Sequence, residues 1–187
     1  MTSTRQPHHL CPWWLAYFFD NPLRRLFHNP RHLFSPYLKP GMTAVDVGCG
    51  MGYFSIGMAK IVGPSGRVWA VDVQRKILQV AESRFRRAGV QNIVTPHQCG
   101  PDVLGVPGRA DFAVNFWSLH EMPDAKVAAR QIADLLLPGG IYFLAEPSGH
   151  VNPRLFERLS SFVESTGLTR VASPRVALSI AAVYRKP

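Results

Sequence analysis

The sequence predicts an α/β fold, and two observations carry that prediction. From Pro40 onward, short β-branched or aromatic runs alternate with amphipathic helical stretches. The first of these runs ends in a glycine cluster that opens a helix. A length of 187 residues suits one ordinary domain, and 47% apolar against 18% charged residues suffices for a real core.

The elements follow in order. Thr43–Val47 (TAVDV) reads as the first strand and leads into Gly48, Gly50 and Gly52. Phe54, Met58, Ile61 and Val62 then recur at helical spacing until the turn Gly63-Pro64-Ser65-Gly66. Arg67–Val73 is the second strand. A helix over Arg75–Ala88 follows, with Ile77, Val80, Ala81 and Phe85 inward and Gly89 placed for a left-handed cap. Asn92–Gln98 is the third strand and Ala110–Trp117 the fourth, joined by a Gly/Pro-rich loop. Pro123-Asp124 opens a helix bearing Val127, Ile132, Leu135 and Leu136, which Pro138-Gly139-Gly140 breaks before a fifth strand at Ile141–Ala145. Asn152-Pro153 caps the next helix, whose stripe is Leu155, Phe156, Leu159, Phe162 and Val163. A short strand at Thr169–Ala172 and a longer one at Ala177–Arg185 follow.

Residues 1–39 stand apart as an aromatic, proline-punctuated and basic segment, and 40–187 form the α/β domain. The apolar run Leu10–Phe19 (LCPWWLAYFF) is about half of a membrane span and lacks a cleavage site, so neither a transmembrane helix nor a signal peptide is expected. Three cysteines argue against a disulfide scaffold and for a cytoplasmic protein. The net charge of +9 admits an acidic partner such as RNA or an anionic membrane surface, without requiring one.

Asp46-Val47-Gly48-Cys49-Gly50-Met51-Gly52 is the most informative stretch. Glycines between a strand and a helix let backbone approach a ligand closely. The spacing is G-x-G-x-G, whereas a dinucleotide loop places its third glycine where Tyr53 stands. Asp46, inside the strand end, suits a ligand carrying an ammonium group better than a pyrophosphate. Asp72, 20 residues past Gly52, can accept hydrogen bonds from both hydroxyls of a ribose.

With these residues the chain resembles the class I S-adenosylmethionine-dependent methyltransferases. VDVGCGMG looks like the family's first motif and AVDV like its ribose-binding segment. DFAVNFWSLHEMPD and LLLPGGIYFLAEP look like the segments after strand four and before strand five. Within the family the chain is most similar to the ubiquinone/menaquinone-biosynthesis and arsenite methyltransferase-like branch. The resemblance implies a Rossmann-like seven-stranded sheet, order 3-2-1-4-5-7-6, with the last strand antiparallel and helices on both faces. It implies S-adenosylmethionine as cofactor, leaving S-adenosylhomocysteine, held by Asp46, Gly48, Cys49, Gly50, Gly52, Asp72, Val73, Gln98, Cys99 and Asn115. Asp102 is the alternative to Gln98 for the adenine contact.

The chemistry is assigned to the segments after strands four and five, where open α/β sheets bind ligands. His120, beside Glu121, is the favoured base because imidazole titrates near neutral pH; the alternative is that the two only organise a loop. Trp117, Glu146 and His150 are read as acceptor-pocket residues. Trp13 and Trp14 join them if the N-terminal segment is a lid, rather than extra core or an interfacial membrane contact through residues 10–25. No metal is expected, since the histidines and carboxylates lack a tight ligand spacing. Arsenite is disfavoured because Cys49 and Cys99 belong to the donor end, leaving Cys11. The reading is methyl transfer to a small, apolar or aromatic acceptor. An RNA methyltransferase ranks second, supported by the charge and by Arg75, Lys76, Arg84, Arg86 and Arg87. A non-catalytic S-adenosylmethionine-binding partner protein ranks third, and a nicotinamide oxidoreductase last.

Overall fold

The computed structural model describes residues 27–187. Its strands are β1 (Thr43–Val47), β2 (Arg67–Asp72), β3 (Val94–Gln98), β4 (Ala110–Phe116), β5 (Leu136–Pro147), β6 (Thr169–Ala172) and β7 (Ser179–Arg185). The helices are α1 (Pro30–Phe34), α2 (Tyr53–Val62), α3 (Arg75–Arg87), α4 (Ala125–Leu135) and α5 (Pro153–Glu164), with a 3-10 turn at Leu119–Glu121. One sheet of order β3-β2-β1-β4-β5-β7-β6 joins all seven strands, as the resemblance implies. β1 to β5 pair in parallel, while β7 runs antiparallel to both β5 and β6.

Central strands covered on both faces must be apolar on both faces, and these are. Ala44, Phe112, Val114 and Phe143 point into one core layer with Phe54, Met58 and Phe85 from α2 and α3. Val45, Ala113, Tyr142 and Leu144 point into the other with Ile132, Phe156 and Leu159 from α4 and α5. The period-2 side-chain alternation of strands thus sorts neighbouring residues into opposite layers.

Three strand starts differ from the sequence reading for identifiable reasons. Pro138-Gly139-Gly140 does not interrupt structure: β5 already begins at Leu136, with a register shift opposite β4. The C-terminal tail makes this feasible, because Gly139 N donates to Lys186 O and Lys186 N donates to Gly140 O, both at 2.9 Å. Lys186 Nζ also donates to the carbonyls of Ala133 and Leu136. β7 begins at Ser179 rather than Ala177, because Leu178 has φ of 56°, which no strand accommodates. β3 begins at Val94, since the amides of Ile93 and Val94 both turn back onto Val90 O.

Residues just before the boundary at 39 also pack onto the α/β domain. Asn29 caps α1 through its side chain, with Pro30 at the first helical position. The Phe34 ring lies 5.3–5.5 Å from those of Phe54, Phe112 and Phe143, and both Phe34 and Leu38 are buried. Of the described residues before β1, His28, Leu33, Phe34 and Leu38 are therefore part of the buried core. Trp13, Trp14 and the rest of the N-terminal segment lie outside the described residues.

Pro30 sits against Gly57 of α2, where an added Cβ would stand 2.2 Å from Pro30 Cβ. Gly57→Ala gains up to ~1 kcal/mol of helix propensity. Against that, overpacking on a rigid ring costs ~1–3 kcal/mol. We expect a net loss of stability in urea titration; an unchanged or raised midpoint would show that α1 does not pack as described.

Candidate functional site

The three glycines after β1 differ in purpose. Gly48, Gly50 and Gly52 all have positive φ (75°, 52° and 77°), which glycine adopts without strain. A Cβ on Gly48 would fall 2.5 Å from Ser118 Cβ, and one on Gly52 would fall 2.3 Å from the Phe85 ring. A Cβ on Gly50 would meet nothing within 4 Å. Gly48 thus admits the loop after β4 and Gly52 admits α3, while Gly50 leaves open space for a ligand.

Asp72 ends β2 beside this loop. One carboxylate oxygen accepts from Gly50 N at 3.0 Å and the other from Gln74 N at 2.9 Å. Burial raises its pKa, and the amides of Gln74, Gly50 and Val73 offset part of that rise. Each oxygen keeps a lone pair for a further donor, as a ribose diol requires. Asp46, 2% exposed, accepts from Ser55 Oγ at 2.6 Å. Burial, followed by the charges of Asp72 and Asp46, raises the Cys49 thiol well above its usual range. Burial and Asp72 push Cys99 up to about 11. Both thiols are therefore protonated wall material rather than nucleophiles.

On the far side of the sheet's carboxyl edge, Trp117 takes φ of 64° and sends its indole N–H to Ser179 Oγ at 2.9 Å. The 3-10 turn follows. Glu146, at the end of β5 and fully buried, accepts from Leu119 N at 3.0 Å and His120 N at 3.3 Å through Oε1. Its Oε2 lies 2.5 Å from His120 Nδ1. The other imidazole nitrogen, Nε2, is 3.9 Å from Glu121 Oε1, beyond a hydrogen bond. Burial disfavours a charged imidazole here. The hydrogen bond and charge of Glu146, with the charge of Glu121, outweigh it and raise the His120 pKa.

The third wall is the loop after β3. Gln131 of α4 clamps it, accepting from Leu104 N at 2.7 Å and donating to Asp102 O at 2.8 Å. Together these segments enclose an open cleft of about 1560 Å³ at the carboxyl ends of β1, β2, β4 and β5. Single-ligand pockets run to roughly 300–1,000 Å³, so a nucleoside donor and an acceptor fit side by side.

Asp46, Gly48, Cys49, Gly50, Asp72, Val73, Cys99, Trp117, His120, Glu121 and His150 line this cleft, as does Asp102. Four expected contacts do not reach it. Gly52 faces Phe85 and Ala81. Gln98 is turned outward, donating to Val73 O. Asn115 is fully buried: Nδ2 donates to Val47 O and Ser118 Oγ, and Oδ1 accepts from Tyr142 Oη. Its amide is engaged beneath the cleft by β1, β5 and the loop after β4, and it does not line the cleft. Glu146 stands behind His120 rather than in the acceptor pocket. Sequence reasoning also missed Gln131 and Ser118. The missed signal for Glu146 was its place directly after a buried apolar strand, where a carboxylate must be paired. Among the described residues no His, Cys, Asp and Glu side chains group to hold a metal ion. No helix among them is long and apolar enough to cross a membrane.

A family model described as a methyltransferase domain matches residues 38–174. The chain is similar to a demethylmenaquinone methyltransferase of Anoxybacillus flavithermus, 28% identical over 111 residues, 59% of this chain and 47% of that protein. It is similar to one from Staphylococcus aureus at 29% over the same share of this chain and 45% of the relative. The chain thus spans about half the length of the curated relatives it matches. A SAM-dependent methyltransferase structure from Aquifex aeolicus shares the fold, with a TM-score of 0.81 at 21% identity over 94% of this chain and 98% of that one.

The glycine roles are separable by experiment. Gly50→Ala should fold at a backbone cost of ~1–2 kcal/mol. It should weaken S-adenosylmethionine binding about tenfold or more by calorimetry, ~1.4 kcal/mol at least. Gly52→Ala should lose more stability, adding ~1–3 kcal/mol of overpacking, yet bind normally when folded. Equal affinity losses in both variants would refute the division.

Proposed function

The chain belongs to the methyltransferase-domain family, the class I S-adenosylmethionine-dependent fold, and from that premise we propose that it methylates a small, apolar or aromatic acceptor. The observation that carries this reading is one cleft with two differently built ends. At one end Gly50 and Asp72 form a nucleoside cradle; at the other His120 projects beside Trp117. Exposed Val103, Val127 and Leu178 line the same cleft and give it apolar walls toward solvent. The names of the quinone-methylating relatives support an aromatic, quinol-like acceptor. The cytoplasmic location inferred from the cysteine count belongs to the same proposal.

When bound, S-adenosylmethionine supplies a methyl group on a positively charged sulfur, already activated for displacement. The chain's own work is then alignment, exclusion of water and removal of the acceptor's proton. Gly50 would let backbone lie against the donor, Asp72 would hold its ribose, and Asp46 would place negative charge near its ammonium end. Trp117, fixed by its bond to Ser179, walls the acceptor side. His120 takes the acceptor's proton at Nε2, the nitrogen not engaged by Glu146.

The sign of the pH dependence follows. His120 accepts a proton only when neutral, and its folded pKa is raised above the ordinary ~6.5. Turnover should therefore rise with pH through an inflection above that value. His120→Ala should keep donor affinity, lose turnover by roughly 10²–10⁴ and lose the inflection. S-adenosylhomocysteine release on a panel of phenols and reduced naphthoquinones reads all three. Turnover equal to wild type in His120→Ala sinks the base assignment; no release on any acceptor, with tight donor binding, favours a non-catalytic binding protein.

A further inference from the structure

The geometry points to Glu146 as the positioning residue that holds His120 in the Nδ1–H tautomer, so that Nε2 enters the cleft as an acceptor. The inference rests on the proposed base role of His120 and goes beyond it to the group that makes the ring competent. Two of Glu146's three hydrogen bonds are ordinary loop anchoring, from Leu119 N and His120 N to Oε1. The third is of another kind: Oε2 meets an imidazole nitrogen at 2.5 Å. An ionised carboxylate only accepts, so the nitrogen facing it carries the proton. Neutral imidazole has a single N–H, and Nε2 is then left with its lone pair.

The carboxylate cannot easily drift from this position. Glu146 lies in β5 between β4 and β7, paired to Ile180 across the antiparallel ladder, and its side chain is fully buried. Burial raises the Glu146 carboxyl above its usual range, while the hydrogen bond and charge of His120 and the amides of His120 and Leu119 favour the ionised form. The charged groups bearing on His120 are Glu146 from β5 and Glu121 from its own turn. Tyr142, also on β5, feels the charge of Glu146, but its hydroxyl is committed to Asn115. Burial alone would lower the imidazole pKa, and these two carboxylates reverse that direction.

Glu146→Gln tests the assignment through the proton itself. The glutamine Oε1 retains the contacts to Leu119 N and His120 N, so the turn keeps its anchors. Its amide, however, donates toward Nδ1 and forces the ring proton onto Nε2. The full chain is labelled with 15N at the imidazole nitrogens, and His120 is assigned by loss of its signals in His120→Gln. The wild type should show Nδ1–H with a titration midpoint above ~6.5. Glu146→Gln should show Nε2–H and a midpoint lower by about one pH unit or more. Its S-adenosylmethionine affinity should be unchanged, because Gly50 and Asp72 are untouched, while turnover on any acceptor found should fall at least tenfold. Nε2–H in the wild type, or Nδ1–H persisting in the variant, overturns the inference. If the variant does not fold, the wild-type tautomer and midpoint decide alone. If the tautomers are as stated but His120→Ala turns over normally, the base reading falls and the positioning stands, so the two failures are distinguishable.

Discussion

A carboxylate buried at the end of a strand must find donors, and for both Asp72 and Glu146 these include amides of the neighbouring segments. Leaving such a group unpaired costs several kcal/mol, so pairing dictates the loop's path. Asp72 draws Gly50 N and Gln74 N onto its two oxygens and thereby fixes the glycine loop against β2. Glu146 draws Leu119 N and His120 N onto one oxygen and fixes the turn after β4 against β5. The same device is used at both ends of the cleft, with different results. At the donor end the carboxylate remains open to the cleft, whereas at the other end it stands behind an imidazole and, as proposed above, acts through it.

The two ends are joined by a small polar network under the floor. Ser118 Oγ donates to Val47 O at 2.8 Å and accepts from Asn115 Nδ2 at the same distance. Tyr142 closes the chain onto Asn115 Oδ1. Gly48 is the condition for this arrangement, because any Cβ there would displace Ser118. A residue often read as serving the ligand therefore serves the loop that carries His120. The glycine motif couples donor cradle and acceptor turn through one close approach.

What the sequence made legible was whatever repeats with a period or needs a special backbone. Strand alternation, the stripe of α5, the Asn152-Pro153 cap and the glycine loop all followed from local rules, and the sheet order from the family resemblance. The cleft residues legible in the same way were those at strand ends: Asp46, Asp72, Trp117 and His120. The errors share a cause, since each depended on a distant partner. Pro138-Gly139-Gly140 reads as a break until Lys186 pairs with it. Asn115 reads as a ligand contact until Tyr142 and Ser118 consume its amide. Residues near Phe34 read as an appendage until three rings from β4, β5 and α2 surround it.

The acceptor end shows why such long-range ties matter for chemistry. Trp117 and Leu178 both hold left-handed backbone, a conformation costing bulky side chains ~1–2 kcal/mol each. Both line the cleft, and both are pinned: Trp117 N donates to Ala145 O, Ser148 N donates to Leu178 O, and the indole reaches Ser179 Oγ. His28 bonds through Nε2 to Ala177 O at 2.7 Å and sets its ring edge-on to Trp117. Strain of this kind persists only where surrounding contacts over-determine it. Here those contacts come from α1's approach, β4, β5 and the start of β7, four segments converging on one wall. A wall held from four directions keeps its shape whichever ring it faces, which suits a reaction whose catalysis is chiefly alignment. On the proposed reading, acceptor choice falls to the exposed side chains on that wall, Leu178 among them, and not to the strained backbone beneath them.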